Sequence, residues 1–142
     1  MIIDSTYKNN KDLQLINDLA GKPYSFFERI LMKGVGSKRM IIDSVSPNFK
    51  PYINSAYNVT YANIELRKGG VLVHINKGLK NYIWAIPYYQ LVVFKTNGSS
   101  IHAQGRYINF RDNNTFKQNK SFFSKMLDEK IKFEMTNNFL YQ

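Results

Sequence analysis

Between Met40 and Phe110 the chain breaks into short apolar runs, each closed by a turn that few backbone conformations can make. Lys68-Gly69-Gly70 opens onto Val71 to Ile75, Lys77-Gly78 onto Tyr82 to Ile86, and Asn97-Gly98 onto Ile101 to Ala103. Asn-Gly is a strong hairpin signal, because both central residues of a type I′ turn need positive φ. Pro87 cannot donate to a strand ladder, so it marks an edge or bulge before Tyr88 to Lys95; Gly105 precedes Tyr107 to Phe110. Five or six short strands at about eight- to twelve-residue spacing specify an antiparallel meander, barrel or sandwich over residues 38–111. Within it, Tyr57, Val59 and Tyr61 share one parity while Ile64 and Leu66 take the other, which predicts a bulge around Ala62-Asn63.

Helical patterns flank this region. Leu13, Leu15, Ile16, Leu19 and Ala20 make one apolar face, stopped by Gly21 and Pro23. Phe26, Phe27, Ile30 and Leu31 fall at helical spacing before Gly34, so residues 10–34 read as a helical pair. Phe122, Phe123, Met126, Leu127 and Ile131 share a face of a closing helix over residues 119–134, capped by Asn119 or Ser121. Asp128 and Lys132 stand at i, i+4 on it, and the tail from Thr136 leaves the amphipathic pattern. No repeat or linker interrupts the chain, so residues 1–142 read as one domain of the α+β class.

At 142 residues and 44% hydrophobic content the chain can bury a core without covalent staples, and neither disorder nor a collagen-like fold fits. It has no cysteine, which removes disulfides, thiolate metal sites and cysteine nucleophiles. No basic segment followed by a long apolar run begins the chain, and no apolar stretch approaches the roughly 18 residues of a membrane span. The expected location is the cytoplasm.

The net charge is +10 and is unevenly placed. Residues 66–111 carry Arg67, Lys68, Lys77, Lys80, Lys95, Arg106 and Arg111, and no Asp or Glu. Such a field attracts phosphates, anionic lipid headgroups or acidic proteins. The abundance of Lys, Asn, Ile, Tyr and Phe is also what AT-rich coding produces, so charge by itself does not identify a partner.

A meander followed by one amphipathic C-terminal helix resembles the pleckstrin-homology-like superfold in its bacterial versions. Trp84-Ala85-Ile86-Pro87-Tyr88-Tyr89-Gln90-Leu91-Val92-Val93-Phe94 looks like the strand pattern of those domains: an Ile-Pro step, a polar residue, then an apolar strand. The similarity covers residues 57–133. It implies a small antiparallel β-barrel or half-barrel of two orthogonal sheets, with the closing helix as its plug and the helical pair as an extension. It implies lipid, peptide or protein binding and supplies no active-site residues.

Other constellations are weaker. His74 and His102 could meet across a barrel, but a zinc site needs a third ligand, which Glu65 or Asp112 would have to supply. Ser99 and Ser100 precede His102 without a nucleophile elbow around them. Lys33-Gly34-Val35-Gly36-Ser37-Lys38-Arg39 has glycines and cations suited to an anion but lacks P-loop spacing, and reads equally as a mobile connector. Lys120, Lys125, Lys130 and Lys132 stand opposite the Phe face of the closing helix, which as a barrel lid would be buried rather than membrane-bound.

These readings converge on a non-enzymatic interaction module with no metal and no small-molecule cofactor. Its partner is a protein or an anionic membrane surface, met through Lys68, Lys77, Lys80, Lys95, Arg106 and Arg111, with the first four on one barrel rim. The alternative is single-stranded RNA, with Tyr82, Trp84, Tyr88, Tyr89, Tyr107 and Phe110 as stacking surfaces among the basic residues. That alternative requires exposed aromatics beside Arg106 and Arg111. An enzyme would require a deep pocket joining a histidine to a carboxylate, and none is expected. Oligomeric state is not specified by any feature of the chain.

Overall fold

The computed structural model of the protein describes residues 1–6, 9–53, 59–95 and 99–140, with side chains described to residue 136. Eight strands form one antiparallel sheet: β1 (Ile2–Asp4), β2 (Met40–Val45), β3 (Tyr61–Leu66), β4 (Gly70–Lys77), β5 (Lys80–Pro87), β6 (Val92–Phe94), β7 (Ser100–Ala103) and β8 (Arg106–Phe110). Their order is β1-β5-β4-β3-β2-β8-β7-β6. The helices are α1 (Asn10–Ala20), α2 (Phe26–Leu31), α3 (Lys50–Ile53), α4 (Asn114–Lys117) and α5 (Lys120–Leu140). The α+β class and the consecutive antiparallel strands agree with the sequence.

The sheet does not close into a barrel, which corrects the closed form of that expectation: β1 and β6 are its two edges. It bends instead at β2. Met40 and Ile41 pair with β3, whereas Ile42, Ser44 and Val45 pair with β8, and the register shifts between Ile42 and Ser44. The bulge therefore lies in β2 and not at Ala62-Asn63, where β3 runs in unbroken register with β4 from Tyr61↔Asn76 to Leu66↔Val71. Ala62, Ile64 and Leu66 point into the core and Tyr61 points the other way; Tyr57 lies outside the described residues. Ahead of β2, residues 35–37 continue its pairing along β3. Ser37 N–H donates to Ile64 O and Leu66 N–H to Val35 O, both at 2.8 Å, so the expected mobile connector is tied to the sheet.

Both halves of the bent sheet feed one core. Met40, Ile64, Val73, Trp84, Ile101, Ile108 and Phe110 all belong to it, joined by Phe122, Phe123 and Met126 of α5. Trp84 meets Phe49 edge to face at 4.8 Å, and its Nε1–H donates to Gln104 Oε1 at 3.2 Å. Gln104 sits in the β7–β8 turn, so this bond and its Nε2–H donation to Ala85 O at 3.2 Å tie the two halves across the open side. The residues after Pro87 form a helical turn (Tyr88–Gln90) instead of the start of a strand. The Asn97-Gly98 turn lies outside the described residues, although the β6–β7 pairing it predicts is present.

The outer face of β4–β5 is covered by α1, where Ile16 and Ala20 pack on Ile3, Leu72 and Ala85. That is why β4 buries Val71, Leu72 and Val73 in succession, and why Leu13 and Leu15 of the expected apolar face stay exposed. α5 runs on to Leu140, well beyond the predicted end: Phe122, Phe123 and Met126 enter the core and Phe133 packs against it beside Tyr88. Ile131 and Met135 are exposed. On it Lys132 pairs with Glu129 at 3.5 Å, where the sequence suggested Asp128.

α1 is anchored to the β3–β4 turn by a close backbone approach. Gly69 N–H donates to Ala20 O at 2.9 Å, and a Cβ on Gly21, whose φ is +83°, would stand 2.5 Å from Gly69 N. Gly21→Ala is therefore expected to cost about 1–3 kcal/mol, lowering the thermal midpoint by roughly 5–10 °C. Gly36→Ala, where a Cβ meets nothing within 4 Å, is expected to change stability by less than about 0.5 kcal/mol. Parallel thermal melts of the two variants check the pair, and equal melting would contradict the docking role.

Candidate anion-binding cleft

Cations from three elements converge where the sheet meets the start of α5. After β8, Asn113 caps α4, its Oδ1 accepting from Phe116 N–H at 3.0 Å, and this turns Phe116 inward. Asn119, only 2% exposed, then fixes the α4–α5 corner. Its Oδ1 accepts from Lys38 N–H at 2.9 Å, and its Nδ2–H donates to Lys38 O and Thr115 O at 3.2 and 3.3 Å. It is thus a bracket between loop and helix, not the side-chain cap that the sequence suggested. With the corner fixed, Phe116 and Phe123 face the core while Lys117 and Lys120 face outward.

Between this corner and the ends of β6 and β7 lies a cleft of about 440 Å³. Lys95, Lys117 and Lys120 line it, with the hydroxyls of Ser99 and Ser124, one carboxylate (Asp112) and a floor of Phe116 and Phe123. Three ammonium groups against one carboxylate leave a positive cleft, and its apolar floor weakens solvent screening of that field. Lysines bind phosphate as point charges and the serine hydroxyls can donate to its oxygens. Beside the same corner, Lys38 Nζ donates to Gln118 Oε1 at 3.4 Å, Lys125 Nζ to Gly34 O at 3.0 Å, and the Arg39 guanidinium lies 4.0 Å over the Tyr61 ring. Of the cations of the Lys33–Arg39 loop, Lys38 is the one tied to the corner.

Of the six basic residues singled out in the sequence, Lys95 alone lines this cleft. Lys77 and Lys80 are register partners at one tip of the β4–β5 hairpin. Lys68 lies beyond the other end, about 25 Å away for an eight-residue strand, and is 3.4 Å from Glu28. The four rim lysines do not form one rim. Arg106 donates to Asn48 O at 3.2 Å and lies 5.4 Å over Phe49, a packing role, while Arg111 pairs with Asp43 at 3.4 Å. The acid-free window of residues 66–111 closes at Asp112 and does not reach Lys117. A second acid-free stretch, residues 113–127 with Lys117, Lys120 and Lys125, was there to be read.

The stacking surfaces fare differently from expectation. Tyr82, Trp84, Tyr88 and Phe110 are buried, Tyr107 is half-buried, and Tyr89 alone of the six is largely exposed, at 69%. A separate group lies on β6–β8, with the exposed Phe94 edge-on to the half-buried His102 at 4.7 Å and His102 stacked on Tyr107 at 5.2 Å. His102 Nε2 lies 2.9 Å from Ser100 Oγ, two positions along the same strand face.

His74 does meet a carboxylate beside a cleft, an arrangement the sequence did not lead us to expect. Its Nε2 is 3.0 Å from Glu65 Oε1, and the other Glu65 oxygen accepts from Arg67 Nε–H at 2.5 Å. His74 and Arg67 line a hollow of about 300 Å³ under α1, floored by Ile3, Ile16, Leu72 and Ile83. Arg67 also donates to Asn17 Oδ1 at 3.0 Å, so the triad ties α1 to the sheet. Among the described residues no group of three metal-ligating side chains occurs, and no helix is long and apolar enough to cross a membrane.

Burial alone would raise the Glu65 carboxyl, but the His74 hydrogen bond and the Arg67 charge outweigh it and hold the group below its ordinary 4.5. A depressed carboxyl stabilises the fold above its unfolded value and loses that contribution as pH falls through its folded one. Glu65→Gln is accordingly expected to cost about 1–3 kcal/mol at pH 7, with the difference from wild type shrinking below about pH 4.5. Thermal melts from pH 7 to 3 check this; a difference independent of pH would contradict it.

No protein-family model, no curated protein and no solved structure matches this chain.

Proposed function

We propose that the protein is a non-enzymatic interaction module that binds phosphate-bearing lipid headgroups at an anionic membrane surface through the cleft at the start of α5. The observation that carries the reading is the convergence of Lys95, Lys117 and Lys120 with Ser99 and Ser124 on an apolar floor, opposed among the described residues by Asp112. A cleft of about 440 Å³ admits a phosphorylated headgroup, and the +10 chain would be drawn to an anionic leaflet, each Lys near the surface contributing about 1 kcal/mol. The pleckstrin-homology-like resemblance is in keeping with this role. Its support is the succession of antiparallel strands and an α5 whose Phe122, Phe123 and Met126 enter the core. A cytoplasmic protein would meet such headgroups on an inner leaflet.

The second reading is single-stranded RNA. The Phe94–His102–Tyr107 group favours it, since Phe94 directly precedes Lys95 of the cleft. Four of the six aromatics it relied on are buried, so the headgroup reading comes first.

Co-sedimentation with phosphatidylcholine vesicles, with and without phosphatidylglycerol, tests the proposal at about 50 and 200 mM salt, with a labelled oligouridylate in parallel. The expected result is retention on the anionic vesicles only, weakening with salt. Lys117→Ala/Lys120→Ala is expected to reduce it about thirtyfold, from two charges at about 1 kcal/mol each. Lys77→Ala/Lys80→Ala, at the β4–β5 hairpin tip and outside the lining of the cleft, is expected to have the smaller effect. Binding to the oligonucleotide and not to vesicles would overturn the proposal in favour of RNA. Binding to neither would move the search to protein partners.

A further inference from the structure

Helix α2 is a well-formed helix that buries nothing. It is held locally by a capping box: Glu28 N–H donates to Ser25 Oγ at 3.3 Å, and Ser25 N–H donates to Glu28 Oε1 at 3.1 Å. Its apolar residues point away from the protein. Phe26, Phe27, Ile30 and Leu31 are 73, 77, 57 and 83% exposed, on a helix of six residues. Single exposed apolar side chains need no explanation, but four large ones on one short helix make a patch that marks an interaction site.

Charge and size indicate what covers it. Between residues 19 and 42 the chain carries Lys22, Arg29, Lys33, Lys38 and Arg39, and Glu28 as the single acid. Glu28 is committed to Ser25 and to Lys68, so the surroundings of the patch are positive. A second copy of the chain would bring two such basic surroundings together. One six-residue helix face is also far short of the roughly 800 Å² per partner that a stable dimer buries. An anionic bilayer satisfies both halves of the patch at once, taking aromatic and branched side chains into the acyl boundary while cations stay among the headgroups. Both ends of α2 are fastened to the helix that lines the cleft: Tyr24 O–H donates to Glu129 at 3.4 Å before it, and Lys125 Nζ donates to Gly34 O at 3.0 Å after it.

We infer that α2 is the membrane-inserting element of this protein, dipping Phe26, Phe27, Ile30 and Leu31 into the outer boundary of an anionic bilayer; this rests on the headgroup reading above. Insertion divides the binding into two parts. The lysine part weakens with salt, and the α2 part persists in it.

Trp84 is the single tryptophan and is fully buried, so its emission is a steady background for a reporter placed at position 27. The Phe27→Trp variant is mixed with phosphatidylcholine vesicles with and without phosphatidylglycerol, and with brominated lipid. The expected result is a blue shift and bromine quenching on anionic vesicles only. Phe27→Ser/Leu31→Ser changes two exposed side chains and is expected to fold as wild type does, which its thermal midpoint checks. Its vesicle binding is expected to fall about tenfold, and what remains is expected to vanish in high salt. Vesicle binding with unshifted emission from the Phe27→Trp variant, and wild-type affinity of the serine variant, would overturn the inference and leave the headgroup reading standing. A blue shift with no loss of affinity in Lys117→Ala/Lys120→Ala would overturn the cleft reading instead. No vesicle binding by the wild-type chain would overturn both, and a dimer that the serine variant abolishes would replace the bilayer with a second copy.

Discussion

Everything in this fold depends on β2 serving two partners. β2 carries β3 on one edge and β8 on the other, and so joins β1-β5-β4-β3 to β8-β7-β6. The register shift between Ile42 and Ser44 lets Met40–Ile41 continue one half of the sheet while Ile42–Val45 begin the other. A bulge sharpens the local twist and re-aims the strand. Met40 and Ile42 both end in the core, with residues from both halves packed around them. On the other side of the Met40–Ala62 pair, residues 35–37 continue the same pairing along Ile64–Leu66 and fix the basic loop against the sheet. From there Lys38 reaches the α4–α5 corner through Asn119, and that corner shapes the cleft. A buried asparagine with three backbone partners is an expensive group to strand. The corner is accordingly well determined, and Lys117 and Lys120 are held outward by it.

The two N-terminal helices show how local and tertiary forces divide the work. α1 earns its place by packing: Ile16 and Ala20 cover Leu72 and Ala85, and Gly21 permits the backbone approach to Gly69. The Glu65–Arg67–Asn17 chain of contacts adds a polar tie on the same side. α2 has no such packing and relies on its capping box. A short helix is marginal in water without tertiary support, so an apolar face left uncovered in this way has a stability cost that a covering surface would remove.

Much of the architecture was legible because its signals are short-range. Glycine turns at 69–70, 78 and 105 and alternating apolar residues place β3 to β8 nearly where they are, and the Phe122–Phe123–Met126 stripe finds the start of α5. β1 was invisible: three residues give no period to detect, and their pairing partner, β5, lies some 80 residues away. Tyr61 and Val59 share a parity that points to a bulge in β3, whereas Val59 precedes the strand and is exposed. The stripe on α2 was correctly helical, but periodicity gives a face and not the direction in which it points. The cleft was the least legible feature. Its lysines come from the residue after β6, from α4 and from α5, and no spacing along the chain predicts that those three meet. The Glu65–His74 pair illustrates the same limit, since cross-strand neighbours nine residues apart become partners only once the β3–β4 register is known.

The central claim is that the anion site lies at the α4–α5 corner and not at the hairpin tips where other lysines stand. The most direct measurement is a titration of the isotopically labelled protein with glycerol phosphate, followed by amide chemical shifts. The account predicts saturable shifts centred on Ser99, Lys117, Lys120 and Ser124, abolished by Lys117→Ala/Lys120→Ala. Shifts centred on Lys77 and Lys80, or small unsaturable drifts spread over every exposed lysine, would contradict it.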